Sequence, residues 1–159
     1  MRKVFNSPWF WCIAAIMVVV ILGVLSSQNA EISNRETLKV TNIIYTALPQ
    51  WAKGANAEAD ILAVNYFIRK MSHFLIFVLI TITLFSATSV LKMREALKYV
   101  LILLLVTLIA CSDEFHQSFT GRGASFTDVL IDISGAVFVY LIIGLRRVIR
   151  KIRKGLAET

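Results

Sequence analysis

The chain has 159 residues, 57% of them hydrophobic, with a formal net charge of +7 and a mean hydropathy of +0.72. A soluble domain of this length is less apolar and does not gather its apolar residues into long uncharged blocks. Nor does the basic excess mark a nucleic-acid binder: it sits at the ends of those blocks, with no aromatic stacking platform beside it.

In chain order, the first block runs from Trp9 to Leu25, uncharged and preceded by Arg2 and Lys3. Trp9 and Trp11 at its start suit an interfacial belt better than the apolar part of a signal peptide, so this span is expected to be retained. The connection from Ser26 to Lys70 is the only long one. Leu38, Thr41, Tyr45 and Leu48 fall at helical spacing before Pro49, and Leu62, Tyr66 and Arg69 do so after Gly54. The pattern predicts either two short amphipathic helices at the membrane surface or a loosely structured loop.

The second block, Met71 to Leu91, holds only His73 as a titratable group. The third, Ala96 to Cys111, carries Lys98, and the fourth, Val129 to Leu145, carries Asp132. Each is close to the roughly 17–25 residues a helix needs to cross the hydrocarbon core. Continuous apolar runs such as Tyr99 to Ala110 lack the alternation of a barrel strand, so helices are the expectation. The predicted fold is an all-α integral membrane bundle of four transmembrane helices, at about 9–26, 68–91, 95–115 and 127–146. It forms one domain over 1–159, with a basic tail from 146.

Charge sets the expected orientation. With both termini cytoplasmic, eleven basic residues fall inside: Arg2, Lys3, Lys92, Arg94, Lys98, Arg146, Arg147, Arg150, Lys151, Arg153 and Lys154. Six fall outside: Arg35, Lys39, Lys53, Arg69, Lys70 and Arg122. That asymmetry predicts a multi-pass membrane protein with both termini cytoplasmic, whose tail also favours anionic lipid. Cys12 and Cys111 then lie near opposite faces, too far apart for a disulfide.

This topology gathers the unexplained polar groups at the extracytoplasmic helix ends. Ser26, Ser27 and Gln28 end the first span, and Arg69, Lys70, Ser72 and His73 open the second. Asp113, Glu114, His116 and Gln117 end the third, and Arg122, Asp128 and Asp132 introduce the fourth. Ionisable groups at such depth cost roughly 2.5–3.5 kcal/mol each on insertion scales, which makes them a functional-site hypothesis. Arg69 and His73 share a helix face, as do Asp128, Asp132 and Gly135 at i, i+4 and i+7, whereas Glu114 lies on a different face from Asp113. Gly135 lets a neighbouring helix come close. Gly121-Arg122-Gly123 reads as a turn presenting a guanidinium to a carboxylate or phosphate.

Three readings of this constellation compete. A charge network holds the helices in register. A pocket binds an anionic headgroup or peptidic ligand through Ser27, Gln28, Arg69, Lys70, Glu114, Gln117, Arg122, Asp128 and Asp132. An intramembrane hydrolase or transferase acts on a lipid-linked anionic substrate, with His116 or His73 as base and Asp113 or Asp132 orienting it. The His, Asp and Glu residues are suitable ligand types for a divalent metal, but no HExxH-like framework is present. The sequence therefore assigns no metal and no cofactor.

The combination Ser26-Ser27-Gln28, Ile68-Arg69-Lys70-x-x-His73-Phe74, Asp113-Glu114-x-His116-Gln117-x-Phe119-x-Gly121-Arg122 and Asp128-Val129-x-x-Asp132-x-x-Gly135 resembles the VanZ-like family of bacterial membrane proteins. The likeness spans about Trp9 to Leu145. Where the family commonly has a proline before Gly-Arg, this chain has Thr120. The resemblance implies a cell-envelope protein connected with glycopeptide resistance, teicoplanin in particular. Its expected partners are membrane lipids and either a lipid-linked wall precursor or the antibiotic. It implies no reaction.

Overall fold

The computed structural model describes residues 7–157, apart from the side chains of Pro8 and Val90. Arg2 and Lys3, which carry the amino-terminal part of the charge argument, lie outside it. Five α-helices make up the described chain: α1 (Pro8–Ser26), α2 (Ala30–Ala47), α3 (Ala57–Ala87), α4 (Glu95–Phe119) and α5 (Phe126–Ala157). No strand occurs among the described residues. All but α2 are long and apolar enough to cross a membrane. Their exposed faces carry Ile13, Ile16, Val20, Leu75, Leu79, Leu104, Leu108 and Leu141, as lipid-facing surfaces do.

The second span begins earlier than its apolar block suggests. Helix α3 starts at Ala57, eleven residues before the apolar block predicts, because Asn56 caps it by accepting from the amides of Glu58 and Ala59. Acidic Glu58 and Asp60 in the first turn complement the helix dipole. Nothing in Ala57–Phe67 breaks a helix, so the second of the two expected surface helices is the polar beginning of α3. The first is real: Asn29 caps α2 through the amide of Ile32, and α2 ends at Ala47, with Leu48 as its C-cap just before Pro49. The basic tail is likewise a continuation of α5 to Ala157, since Lys and Arg are good helix formers. At 1.5 Å per residue, α3 and α5 each run about 46–48 Å, well beyond a roughly 30 Å hydrocarbon core.

Helix α3 packs against each of the other four helices. The core comprises Leu22 from α1, Phe77 and Ile80 from α3, Ile102, Val106 and Ala110 from α4, and Val129 and Ala136 from α5. Helices α3 and α5 come into close contact at Gly135, where an added Cβ would stand 2.8 Å from the Phe74 carbonyl oxygen and 3.1 Å from the Val78 nitrogen. Contact at this depth depends on small residues, because lipid supplies no hydrophobic drive between helices. The ring of Phe74 meets Phe138 edge-on at 5.6 Å beside this crossing. At the other end of the bundle, Tyr140 donates to the Tyr99 carbonyl at 2.8 Å, and Arg147 reaches Glu95 at 2.5 Å. Both cysteines are free.

Candidate functional site

The end of α4, the start of α5, the end of α1 and the middle of α3 meet at one end of the bundle. The close crossing at Gly135 sets the site, for it brings Asp132, one turn earlier on α5, against His73 on α3. The His73 Nδ1 lies 3.3 Å from Asp132 Oδ1. That is ion-pair range, but the alignment makes no hydrogen bond, and neither oxygen of Asp132 has a donor among the described residues. Asp132 is wholly buried, and Asp113 and Glu114 are nearly so. One ligand-type atom from each of His73, Asp113, Glu114 and Asp132 lies within 4.8 Å of all the others.

The carboxylates of α4 are held from behind. Gln117 Nε2 donates to Asp113 Oδ2 at 2.6 Å, which the i, i+4 spacing allows. The backbone amide of Ser125 donates to Glu114 Oε2 at 2.7 Å, leaving Glu114 Oε1 buried without a partner among the described residues. Helical spacing separates Glu114 from Asp113, yet both are buried, because the loop into α5 folds back over the Glu114 side. Lys70 pairs with Asp128 and so joins the first turn of α5 to α3.

Beside the cluster lies a cavity of about 340 Å³. Its lining mixes apolar Leu22, Leu25, Val40, Ile68 and Ile76 with polar Ser26, Gln28, Arg69, Ser72, His73, Asp113, Gln117 and Arg122, and α2 contributes Ser33, Glu36 and Thr37. Arg122 stands in the turn between Gly121 and Gly123, both at positive φ (73° and 74°), where glycine is at ease. Its guanidinium reaches the Leu25 carbonyl at 3.4 Å, and its Nε is buried without a partner among the described residues. Burial first, and the neighbouring Arg69 charge second, lower the Arg122 pKa from its ordinary value. Two cations facing one half-buried space favour a bound anion. Thr120 ends α4: its amide and hydroxyl both donate to the Gln117 carbonyl, each at 3.0 Å.

Of the residues expected in the site, Gln28, Arg69, His73, Asp113, Gln117 and Arg122 line this cavity, while Glu114 and Asp132 lie behind it. Lys70 and Asp128 pair with each other outside its lining, and two more residues fall elsewhere. Ser27 is exposed, with its hydroxyl spent on the Val24 carbonyl at 2.8 Å; the buried neighbour Ser26 faces the cavity instead. His116 is exposed and lines a separate cavity of about 420 Å³ with Val19, Leu22, Gly23, Ser112 and Asp113. The imidazole in the cluster is that of His73. The α2 residues were not legible as site residues, since only the way α2 docks brings them over the cavity.

No curated protein and no solved structure matches the chain. A family model described as VanZ/LLP1 matches residues 10–147, spanning all four long apolar helices and the cluster between them, and the chain belongs to that family.

Proposed function

We propose that the protein binds an anionic, lipid-linked component of the bacterial cell envelope at the outer face of the cytoplasmic membrane. Both termini lie in the cytosol on this reading, and binding modulates the availability of that component. The observation that carries it is the mixed lining of the cavity, which combines Arg69 and Arg122 with Leu22, Leu25, Val40 and Ile76. Such a lining suits a ligand with a charged head and an apolar chain, because guanidinium groups meet phosphate oxygens bidentately and the aliphatic side chains accept the chain. Family membership links the protein to glycopeptide resistance, and competition for a wall precursor is one route to it.

The test is native mass spectrometry of the purified protein in nanodiscs with a polyprenyl-pyrophosphate-linked wall precursor. Zwitterionic phospholipid and teicoplanin serve as comparators. The precursor is expected to remain bound, and Arg69→Gln with Arg122→Gln is expected to weaken retention at least tenfold. Equal retention by the double variant, or preference for the zwitterionic lipid, refutes the proposal. Orientation is tested on a cysteine-free background: Ser72→Cys and Ser118→Cys should react with an impermeant reagent on intact cells, and Arg150→Cys should not.

The His73–Asp132 pair supports a second reading, acid–base chemistry on the bound molecule. A precursor recovered chemically changed after incubation would establish it, and an unaltered one would leave a binding protein.

A further inference from the structure

We propose that His73, Asp113, Glu114 and Asp132 form a site for one first-row divalent cation, of the Zn²⁺ or Mn²⁺ type. The four side chains come from three helices, α3, α4 and α5, yet place one ligand atom each within 4.8 Å of the others. No two ligand atoms on an ion with bonds of roughly 2.0–2.2 Å are further apart than about 4.4 Å. A small inward rotation of the side chains closes the set.

The independent observation is Asp132. It is completely buried, stands at a depth where unmet charge is costly, and receives no hydrogen bond at either oxygen among the described residues. Buried carboxylates are normally paired, hydrogen-bonded or bound to metal. Its one close partner is His73 at 3.3 Å, itself a member of the set, and the nearby lysine does not serve, because Lys70 is engaged by Asp128. Glu114 repeats the pattern with its buried, unpartnered Oε1.

The surroundings are those of a supported ligand set. Asp113 is fixed through its other oxygen by Gln117, and Glu114 through its other oxygen by the Ser125 amide. Outer partners of this kind orient ligands and tune their basicity. One imidazole with three carboxylates selects against Ca²⁺ and Mg²⁺, which prefer all-oxygen shells, and toward Mn²⁺, Fe²⁺ or Zn²⁺. A dication reduces three buried negative charges to one. His73 and Asp113 also line the cavity, which gives an ion its path in. The proposal stands on these four ligands and is independent of what occupies the cavity.

The experiment uses the full chain, purified without a polyhistidine tag and stripped with chelator, then titrated separately with Zn²⁺, Mn²⁺ and Mg²⁺. Bound metal is counted by elemental mass spectrometry, and Mn²⁺ is also followed by electron paramagnetic resonance. Wild type should bind one equivalent of Zn²⁺ or Mn²⁺ and unfold at a higher temperature when loaded. Asp132→Asn and Glu114→Gln should each weaken binding at least tenfold. Nitrogen coupling in the Mn²⁺ signal should disappear in His73→Gln. Tyr140→Phe, at the far end of the bundle, should bind like wild type. Should Asp132→Asn fail to fold, Gln117→Leu replaces it, with an expected tenfold to hundredfold loss. Folded wild type that binds neither metal, or binding unchanged in the cluster variants, overturns the proposal and leaves shared protons to neutralise the carboxylates.

Discussion

Replacing Gly135 with alanine tests the contact from which the site follows. The added methyl would sit 2.8 Å from the Phe74 carbonyl oxygen and 3.1 Å from the Val78 nitrogen. Carbon settles against a carbonyl oxygen at about 3.3–3.6 Å, so the shortfall is about 0.5–0.8 Å. The obstructing atoms are backbone and cannot rotate aside; α3 and α5 must part. Overpacking of this size costs about 1–3 kcal/mol, roughly a fivefold to 150-fold change in the unfolding equilibrium. Equilibrium unfolding in mixed micelles with increasing sodium dodecyl sulfate would measure it. His73 and Asp132 lie about one turn away on the two helices being separated, so retention of the anionic ligand should fall along with stability. A Gly135→Ala protein within about 0.5 kcal/mol of wild type, the usual range for an innocuous surface change, would refute the close crossing.

Further outcomes follow from the bonds around the site. Lys70→Met should destabilise by about 1–3 kcal/mol by stranding half-buried Asp128, and Lys70→Met with Asp128→Leu should recover most of that in the same unfolding assay. Thr41→Val removes the contact to Asn65 at 3.3 Å; the expected cost is about 0.5–1.5 kcal/mol, with faster hydrogen exchange in α2 than in α3. Tyr140→Phe should cost about 1 kcal/mol through its lost bond to the Tyr99 carbonyl and leave ligand retention unchanged. Gly121→Ala should cost about 1 kcal/mol, because alanine resists the positive φ there, and should weaken ligand retention by displacing Arg122.

Hydropathy was enough to identify four long helices, since apolar runs of this length admit little else in a bilayer. It misplaced the polar ends, because a helix does not stop where its greasy part stops. Asn56 starts α3 among alanines and acids, and Arg146 through Lys154 carry α5 onward without a break. Asp132 and His73 were conspicuous as ionisable residues in apolar surroundings. Their partnership with Glu114 was not legible, because it depends on a loop amide from Ser125 reaching back eleven positions. The choice between Ser26 and Ser27 turns on about 100° of rotation around α1, which sequence spacing within a single helix does not determine. The same rotation sends His116 toward α1 while Asp113, Glu114 and Gln117 turn inward.

The way α2 is fastened has a consequence for traffic. Thr41 is its sole buried residue, and its side-chain hydrogen bonds to α3 are Thr41 to Asn65 at 3.3 Å, Asn65 to Asn34 at 2.9 Å, and Tyr45 to Asp60 at 3.3 Å. Three such bonds, each worth about 0.5–1.5 kcal/mol net, make a latch that thermal motion can lift. On the function proposed above, a guest too bulky for the closed chamber would enter by swinging this segment like a hatch, while the four-helix frame beneath stays shut.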